Sequence, residues 1–431
     1  MQIDAGGFLH LTYCTNIHPG DGWDAVRANL ERYAPALKQR LSPDGRFGIG
    51  LRLSAREARE LLEGRRLREL RAFLDAHGLY VALLNGFPYG AFHGTVVKAD
   101  VFAPDWRDEA RVAYTLDLVE VLRGLLPDTD GVQANGARPD GGDAIDGGIS
   151  TIPLSYKPWL SNGRRHELMQ AWDSIARNVA RVVRVLVEVR RTSGRFIHLD
   201  LEPEPDGLIE NTDEVIDAFE RWLLPLGAPV LAAALGIGED AARAHLRGHV
   251  RVCFDCCHLA VEYEDPVAAL ARLDAAGIRV GRIQLSSALD VVLPAAPAER
   301  ARLAARLAPF AESTYLHQVI ECRGAGPPHC ELHRFRDLPA ALAEGPDAKA
   351  RQWRIHFHVP LFTSQYEAFG STQEDVRRVL AAAARTRQTR HLEIETYTWD
   401  VLPADLKLDL LESIDREYRW VLHELRPDRW S

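Results

Sequence analysis

The chain has 431 residues, 46% of them hydrophobic and 26% charged, and a formal net charge of −9. That balance belongs to a globular protein with a sizeable core and is too apolar for a disordered chain. An acidic chain excludes broad binding along a nucleic-acid backbone, which requires a basic face, so the expected partner is a small-molecule metabolite or another protein.

The opening run MQIDAGGFLHLTYC has no basic flank and no long apolar centre, so no signal peptide is expected. The longest apolar stretch, Leu223 to Ile237, is interrupted by Pro225, Gly227 and Pro229. It is also shorter than the ~20 residues a membrane-spanning helix needs. A soluble, cytoplasmic protein with no transmembrane segment is the expectation. Six cysteines in a chain of this length do not suggest a disulfide framework. Cys253, Cys256 and Cys257 lie in an apolar run and read as reduced, buried residues.

In chain order, short apolar runs alternate with long amphipathic ones. Phe8 to Thr15 reads as a strand, and Gly22 to Leu41 as a helix with Trp23, Val26, Leu30, Tyr33 and Leu37 at helical spacing. Phe47 to Leu53 is a second strand, and Ser54 after it is a candidate N-cap for a helix ending at Gly78. Leu79 to Leu84 is a third strand running into Asn85. A helix over about Asp108 to Leu126 precedes a Gly, Asp and Pro-rich loop, Pro127 to Gly148. The fourth strand is placed at Ile149 to Ser155, with a long helix over about Arg164 to Thr192 after it. The fifth, sixth and seventh strands are Phe196 to Leu201, Val250 to Asp255 and Val280 to Leu285.

Repeated strand–helix alternation implies parallel strands with right-handed crossovers. The GxGxxG and GxxxxGK[ST] signatures of nucleotide-binding sheets are absent. Barrels with insertions run past roughly 400 residues as one domain, so residues 1–431 read as a single α/β domain, a (β/α)8 TIM barrel. The end of the chain has one strand too many. Tyr315 to Cys322 and Cys330 to Phe335 look like a hairpin, Trp353 to Val359 like another strand, and His391 to Thr396 like the last. Residues 314–362 are read as an insertion between the seventh and last strands, with His391 to Thr396 closing the barrel. The alternative makes HFHV a barrel strand.

A barrel's site lies where its strands end, and polar residues recur there: Asn16 and His18, Asn85 with His93, Ser155 and Lys157, Glu202 and Glu204, Asp255 and His258, Gln284 and Ser286, Glu393 and Glu395. Carboxylates converging on one site repel unless a cation neutralises them or one stays protonated. Glu202, Asp255 and Glu395 therefore point to a divalent metal, with Mn, Zn, Mg or Co as candidates. Asn85, Lys157, His258 and Gln284 are candidate substrate contacts. His356 and His358 share a strand face, as two ligands or as two stacked structural residues. Cys322, His329, Cys330 and His333 match no common zinc spacing.

The runs LEPEP, CFDCCHLA, IQLSSA and HLEIET resemble the strand ends of the xylose-isomerase-like barrel superfamily, which contains sugar isomerases, epimerases and metal-dependent endonucleases. Runs such as HLTYCTNIHPG, LNGFPYGAFHG, ISTIPLSYK and HLEIETYTWDVLP resemble the Ebo-type metabolite traffic protein (EboE) family over almost the whole chain. The first resemblance implies metal ligands at Glu202, Asp255 and Glu395, with Glu202 and Glu395 moving protons and His258 touching substrate. It also implies a seventh-strand histidine where Gln284 stands, so either three carboxylates and an amide hold the metal, or His358 comes in from the insertion as replacement ligand, or the metal is lost. The second implies a secondary-metabolite precursor as cargo or substrate and other proteins of the same gene cluster as partners. A metal-assisted isomerase or epimerase is one expectation and a carrier without turnover the other. A nuclease fits the acidic balance poorly.

Overall fold

Seven apolar runs form parallel strands: β1 (His10–Tyr13), β2 (Phe47–Arg52), β3 (Leu79–Asn85), β4 (Gly147–Thr151), β5 (Ile197–Leu201), β6 (Val250–Asp255) and β7 (Val280–Leu285). The computed structural model describes residues 1–3, 8–90, 98–127, 145–160, 165–311, 315–327, 329–366, 368–399 and 408–426. His93 and most of the Pro127 to Gly148 loop lie outside them. After β7 come β8 (Ser287–Val292), β9 (Val319–Gly324), β10 (Cys330–Phe335), β11 (Ala350–Val359), β12 (Gln365–Tyr366), β13 (Phe369–Ser371) and finally β14 (His391–Ile394).

The parallel strands and β14 make one eight-stranded sheet in the order β1-β14-β7-β6-β5-β4-β3-β2. A parallel bridge between Cys14 and Gly50 joins its two edges. The result is a (β/α)8 barrel. Every residue of these eight strands is buried. Helices cover the outer face and side chains fill the inner one, as all-parallel sheets require. The last strand pairs with both β1 and β7, so His391 onward closes the barrel as the sequence suggests.

The remaining strands form a second, antiparallel sheet in the order β10-β9-β11-β8-β13-β12. It lies in the chain between β7 and β14. The HFHV run ends β11, an interior strand of this sheet, and is not part of the barrel. Its own core contains Leu289, Trp353, Ile355, Phe357 and Val359. β8 was missed in the sequence because it follows β7 after a single residue, Ser286, and its run SALDVV carries little apolar contrast. Within the β9–β10 hairpin, Cys322 and Cys330 form a disulfide. They are therefore not a pair of zinc thiolates. Cys253, Cys256 and Cys257 are free and buried.

Other departures have local causes. The helix expected up to Gly78 is two, Ala55–Leu62 and Arg66–Ala76, separated where Gly64 takes φ +60°. Ser54 caps the first through a reciprocal capping box with Glu57. β4 starts two residues earlier than expected and stops before Pro153, which has no N–H for a ladder. The helix through Leu223 to Ile237 is not broken by its prolines. A π-turn, Ala218–Leu223, runs straight into the helix Leu224–Leu235, with Pro225 in its first turn, where the missing N–H is tolerated. The run Thr212–Leu235 is long and apolar enough to cross a membrane by length and composition, and here it packs on the helices Arg165–Ser193 and Glu239–His249.

Inside the barrel lies a charged layer. Arg282 on β7 donates to Asp200 Oδ2 at 3.1 Å and to Glu393 Oε2 at 2.9 Å, and all three side chains are fully buried. Two strand glycines make room for it. A Cβ at Gly281 would stand 1.9 Å from Asp200 Oδ1, and one at Gly50 would stand 1.6 Å from Glu393 Oε1. Nearer the N-terminal end of the strands, Asp146 accepts from Arg251 and meets His391 and His198.

Candidate metal centre

The residues after β5, at the end of β6 and just beyond β14 bring Glu202, Asp255 and Glu395 together, one oxygen of each within 4.8 Å of the others. All three are buried, at 3%, 0% and 4% exposure. Asp255 caps the short helix Cys256–Val261: its Oδ1 accepts from the His258 N–H at 3.0 Å and the Ser286 hydroxyl at 2.7 Å. Asp255 Oδ2 and Glu202 Oε2 have no hydrogen-bond partner. Burial, then the charges of Glu395 and Asp255, push the Glu202 carboxyl well above its usual range. The Arg282 guanidinium, held by Asp200 and Glu393 one layer below, opposes this rise without overcoming it.

Glu395 is surrounded differently. Its Oε1 accepts from the amides of Asn16 at 2.8 Å and Asn85 at 3.2 Å, and its Oε2 from Gln284 at 2.5 Å. Burial, followed by Asp255 and Glu393, raises its carboxyl as well, against the charge of Arg282 and a hydrogen bond with Cys14, and amide donors likewise favour the ionised form. Gln284, expected to touch substrate, instead sits behind Glu395, with its carbonyl accepting from Cys253 Sγ at 2.5 Å. It is a positioning residue.

Beside the carboxylates stand three histidines. His258 comes from the helix after β6, while His356 and His358 come from one face of β11. The Nε2 atoms of His258 and His356 are 3.1 Å apart, and those of His356 and His358 are 3.3 Å apart. Burial lowers all three imidazoles below their usual range, most strongly His258 and His356, which also face neighbouring imidazoles.

Glu202, Glu204, Glu395, the three histidines, Asn16 and Asn85 line a cavity of about 70 Å³. At roughly 10–15 Å³ per water on this measure, it admits a small polar molecule. The cavity also exposes residues that the sequence did not flag. Tyr397 could have been found by continuing the alternation Glu393, Glu395, Tyr397 past the strand. Lys98, which donates to the Tyr315 carbonyl at 2.7 Å and to Asp337 at 2.6 Å, carried no signal in its loop. Lys157 is not at the cavity. Its ammonium is held by Glu210 at 2.6 Å and Glu214 at 2.8 Å, because the chain turns after β4 and points it outward. Ser155 donates to Asp105, and His18 stacks on Tyr33 in a separate recess.

No family model matches the sequence, and no curated protein matches it. Among solved structures, the chain is similar to the IolI protein with a bound zinc atom, at 10% identity and a TM-score of 0.46, covering 97% of this chain and 98% of that one. It is also similar to the probable 3-DHS dehydratase AsbF of petrobactin synthesis from Bacillus anthracis, at 10% identity, TM-score 0.36 and coverage of 66% and 74%. A D-tagatose 3-epimerase-like protein aligns at 10% identity, TM-score 0.36 and coverage of 64% and 75%. The barrel and its site rest on the strand order and side-chain contacts described above.

Proposed function

We propose that the chain is a metal-dependent enzyme of the isomerase or epimerase type, acting on a small carbonyl or polyhydroxylated compound. The observation that carries this reading is the convergence of the buried carboxylates Glu202, Asp255 and Glu395 beside the cavity, with an unpartnered oxygen on two of them. Buried carboxylates in such a group call for a cation, and oxygen donors suit Mn, Zn, Mg or Co. Glu202, Asp255 and Glu395 would hold it, with His358 adjoining, its Nδ1 3.6 Å from Glu395 Oε2.

A divalent cation there would supply Lewis-acid polarisation of a substrate oxygen. The chain's own groups divide the remaining work. Glu202, with an unpartnered oxygen at the cavity, is the group placed to take and return a proton. Glu395 is fixed in orientation by three amides. Asn85 and His258 line the cavity within reach of substrate oxygens.

The resemblance to the Ebo-type traffic proteins supports a secondary-metabolite precursor as the compound handled and proteins of the same gene cluster as partners. A cytoplasmic location belongs to the same proposal, with the Cys322–Cys330 disulfide weighing against it, since such bonds are typical of oxidising compartments. A carrier without turnover is the second reading. It is favoured by Gln284, whose amide covers the Glu395 oxygen that the resemblance would leave to a metal and a histidine.

Metal analysis of purified protein and of Glu202→Gln, together with ketose and hydroxyketone turnover in deuterated water, tests the enzyme reading. Cation-dependent deuterium incorporation that disappears in Glu202→Gln is the expected result. Undiminished incorporation in that variant would remove Glu202 from catalysis. Ligand binding with no exchange in either protein would leave the carrier.

A further inference from the structure

The outer nitrogen of each of the three histidines faces an oxygen that can only accept a hydrogen bond. His258 Nδ1 lies 2.9 Å from the Pro203 carbonyl, and His358 Nδ1 lies 3.0 Å from the Glu395 carbonyl. His356 Nδ1 lies 2.7 Å from Gln318 Oε1. The Gln318 amide is oriented by its own N–H, which donates to the Pro205 carbonyl at 2.9 Å, so its oxygen is the atom that meets His356. All three imidazoles are therefore protonated at Nδ1, which leaves a lone pair on each Nε2 when the rings are neutral.

The Nε2 of His356 stands between those of His258 and His358 beside the cavity. Nitrogens about 2.0–2.1 Å from a tetrahedral zinc ion stand roughly 3.3 Å apart, and the two observed separations are 3.1 and 3.3 Å. A carbonyl on the far nitrogen is also the usual orienting partner of a metal-bound histidine. Glu204 Oε2 is buried and unpartnered, Glu204 Oε1 lies 3.7 Å from His356 Nδ1, and a Glu204 oxygen groups with nitrogens of His258 and His356, as an Asp255 oxygen does with those of His258 and His358.

We infer that His258, His356 and His358 form a second cation site in the same cavity, a three-imidazole centre for Zn²⁺, Co²⁺ or Fe²⁺ with Glu204 as its carboxylate. Nitrogen donors select these ions over Mg²⁺. The site shares no ligand with Glu202 and Glu395. The cavity then holds a nitrogen-rich and an oxygen-rich position side by side, with the first supplied largely by the inserted sheet.

The test uses the full chain, stripped with chelator and reloaded with Co²⁺ or Zn²⁺ alone. Bound ions are counted by mass spectrometry, and imidazole ligation of the zinc form is read by X-ray absorption. Wild type is expected to bind two ions, with His358→Gln and Glu202→Gln each binding one. The ion kept by Glu202→Gln should show three imidazoles, and Gln318→Leu should weaken it by about 10–100-fold. An unchanged ion count in both His356→Gln and His358→Gln overturns the inference, as does a Glu202→Gln protein that takes up no Co²⁺. If the histidine variants fail to fold, thermal unfolding of Glu202→Gln with and without Co²⁺ decides: a rise supports the site, and no rise rejects it. One ion that is lost in His358→Gln but kept in Glu202→Gln would uphold this site and refute the carboxylate centre.

Discussion

Arg282 and Glu393 meet between neighbouring strands inside the barrel, Nη1 to Oε2 at 2.9 Å, and two residues further along the same strands Gln284 meets Glu395 at 2.5 Å. The lower contact is ionic and structural, and the upper one positions a cavity carboxylate. Arg282→Met would leave Asp200 and Glu393 buried without their counter-ion. Removing one partner of a buried pair costs about 3–5 kcal/mol, so the urea midpoint should fall sharply. A midpoint within error of wild type would show that the layer contributes nothing to stability.

Gly281→Ala tests how tightly that layer is packed. The new methyl would meet Asp200 Oδ1 at 1.9 Å, and that side chain is itself buried and held by His198 and Arg282. Overpacking of this kind typically costs about 1–3 kcal/mol, and more where nothing yields. Shortening Asp200 to Ser in the same chain should recover part of the packing loss, and a double-mutant cycle measures the coupling. Independent, additive effects would contradict the contact.

Glu417 gives a pH dependence away from the cavity. Burial pushes its carboxyl up to about 8, against the opposing hydrogen bonds from the Leu361 N–H and the Thr396 hydroxyl. An unfolded glutamate titrates near ~4.3, so the folded protein holds a proton that the unfolded chain has lost between these values. The stabilisation is complete below the unfolded value and is lost as pH rises through about 8. Its slope is at most about 1.4 kcal/mol per pH unit. Denaturation curves from pH 5 to 9 should show this decline in wild type and a flatter profile in Glu417→Gln. Parallel profiles would assign the dependence to other groups.

Lys157 separates the surface from the site. Lys157→Met removes contacts to Glu210 and Glu214, and partly exposed pairs of this kind are worth about 0–1 kcal/mol. Cation uptake should be unchanged, whereas Asp255→Asn should lower it by at least tenfold. Isothermal titration with Mn²⁺ compares the two, and a loss of uptake in Lys157→Met would return that residue to the cavity.

The barrel was legible because its strands are apolar runs that end in polar residues, and β6 and β7 fall where the residues place them. That Glu202, Asp255 and Glu395 stand together was legible for the same reason, since each lies at or just past a strand end, with His258 in the helix that follows β6. Lys157 misled because a strand end fixes position but not direction, and β4 stops before Pro153. Gln284 looked like a substrate contact because sequence cannot show that a neighbouring carboxylate will take up its amide. The pairing of His258 with His356 spans 98 positions of chain and two sheets, a relationship that no local periodicity encodes.

The register of β11 against β8 shifts between Ile355 and Val359, so that three residues of β11, His356 to His358, lie opposite one residue of β8, Ala288. Bulges of this kind re-aim side chains beside sites. Here the bulge fixes the histidine pair by counting residues rather than by packing alone. Deleting one residue from this segment would bring Phe357 or Val359 to the cavity and send an imidazole into the apolar face of the sheet. Many side-chain exchanges around β11 leave that count intact, but no change of length does. Insertions and deletions should therefore be tolerated in the connecting loops of the inserted sheet and be disabling over these few positions.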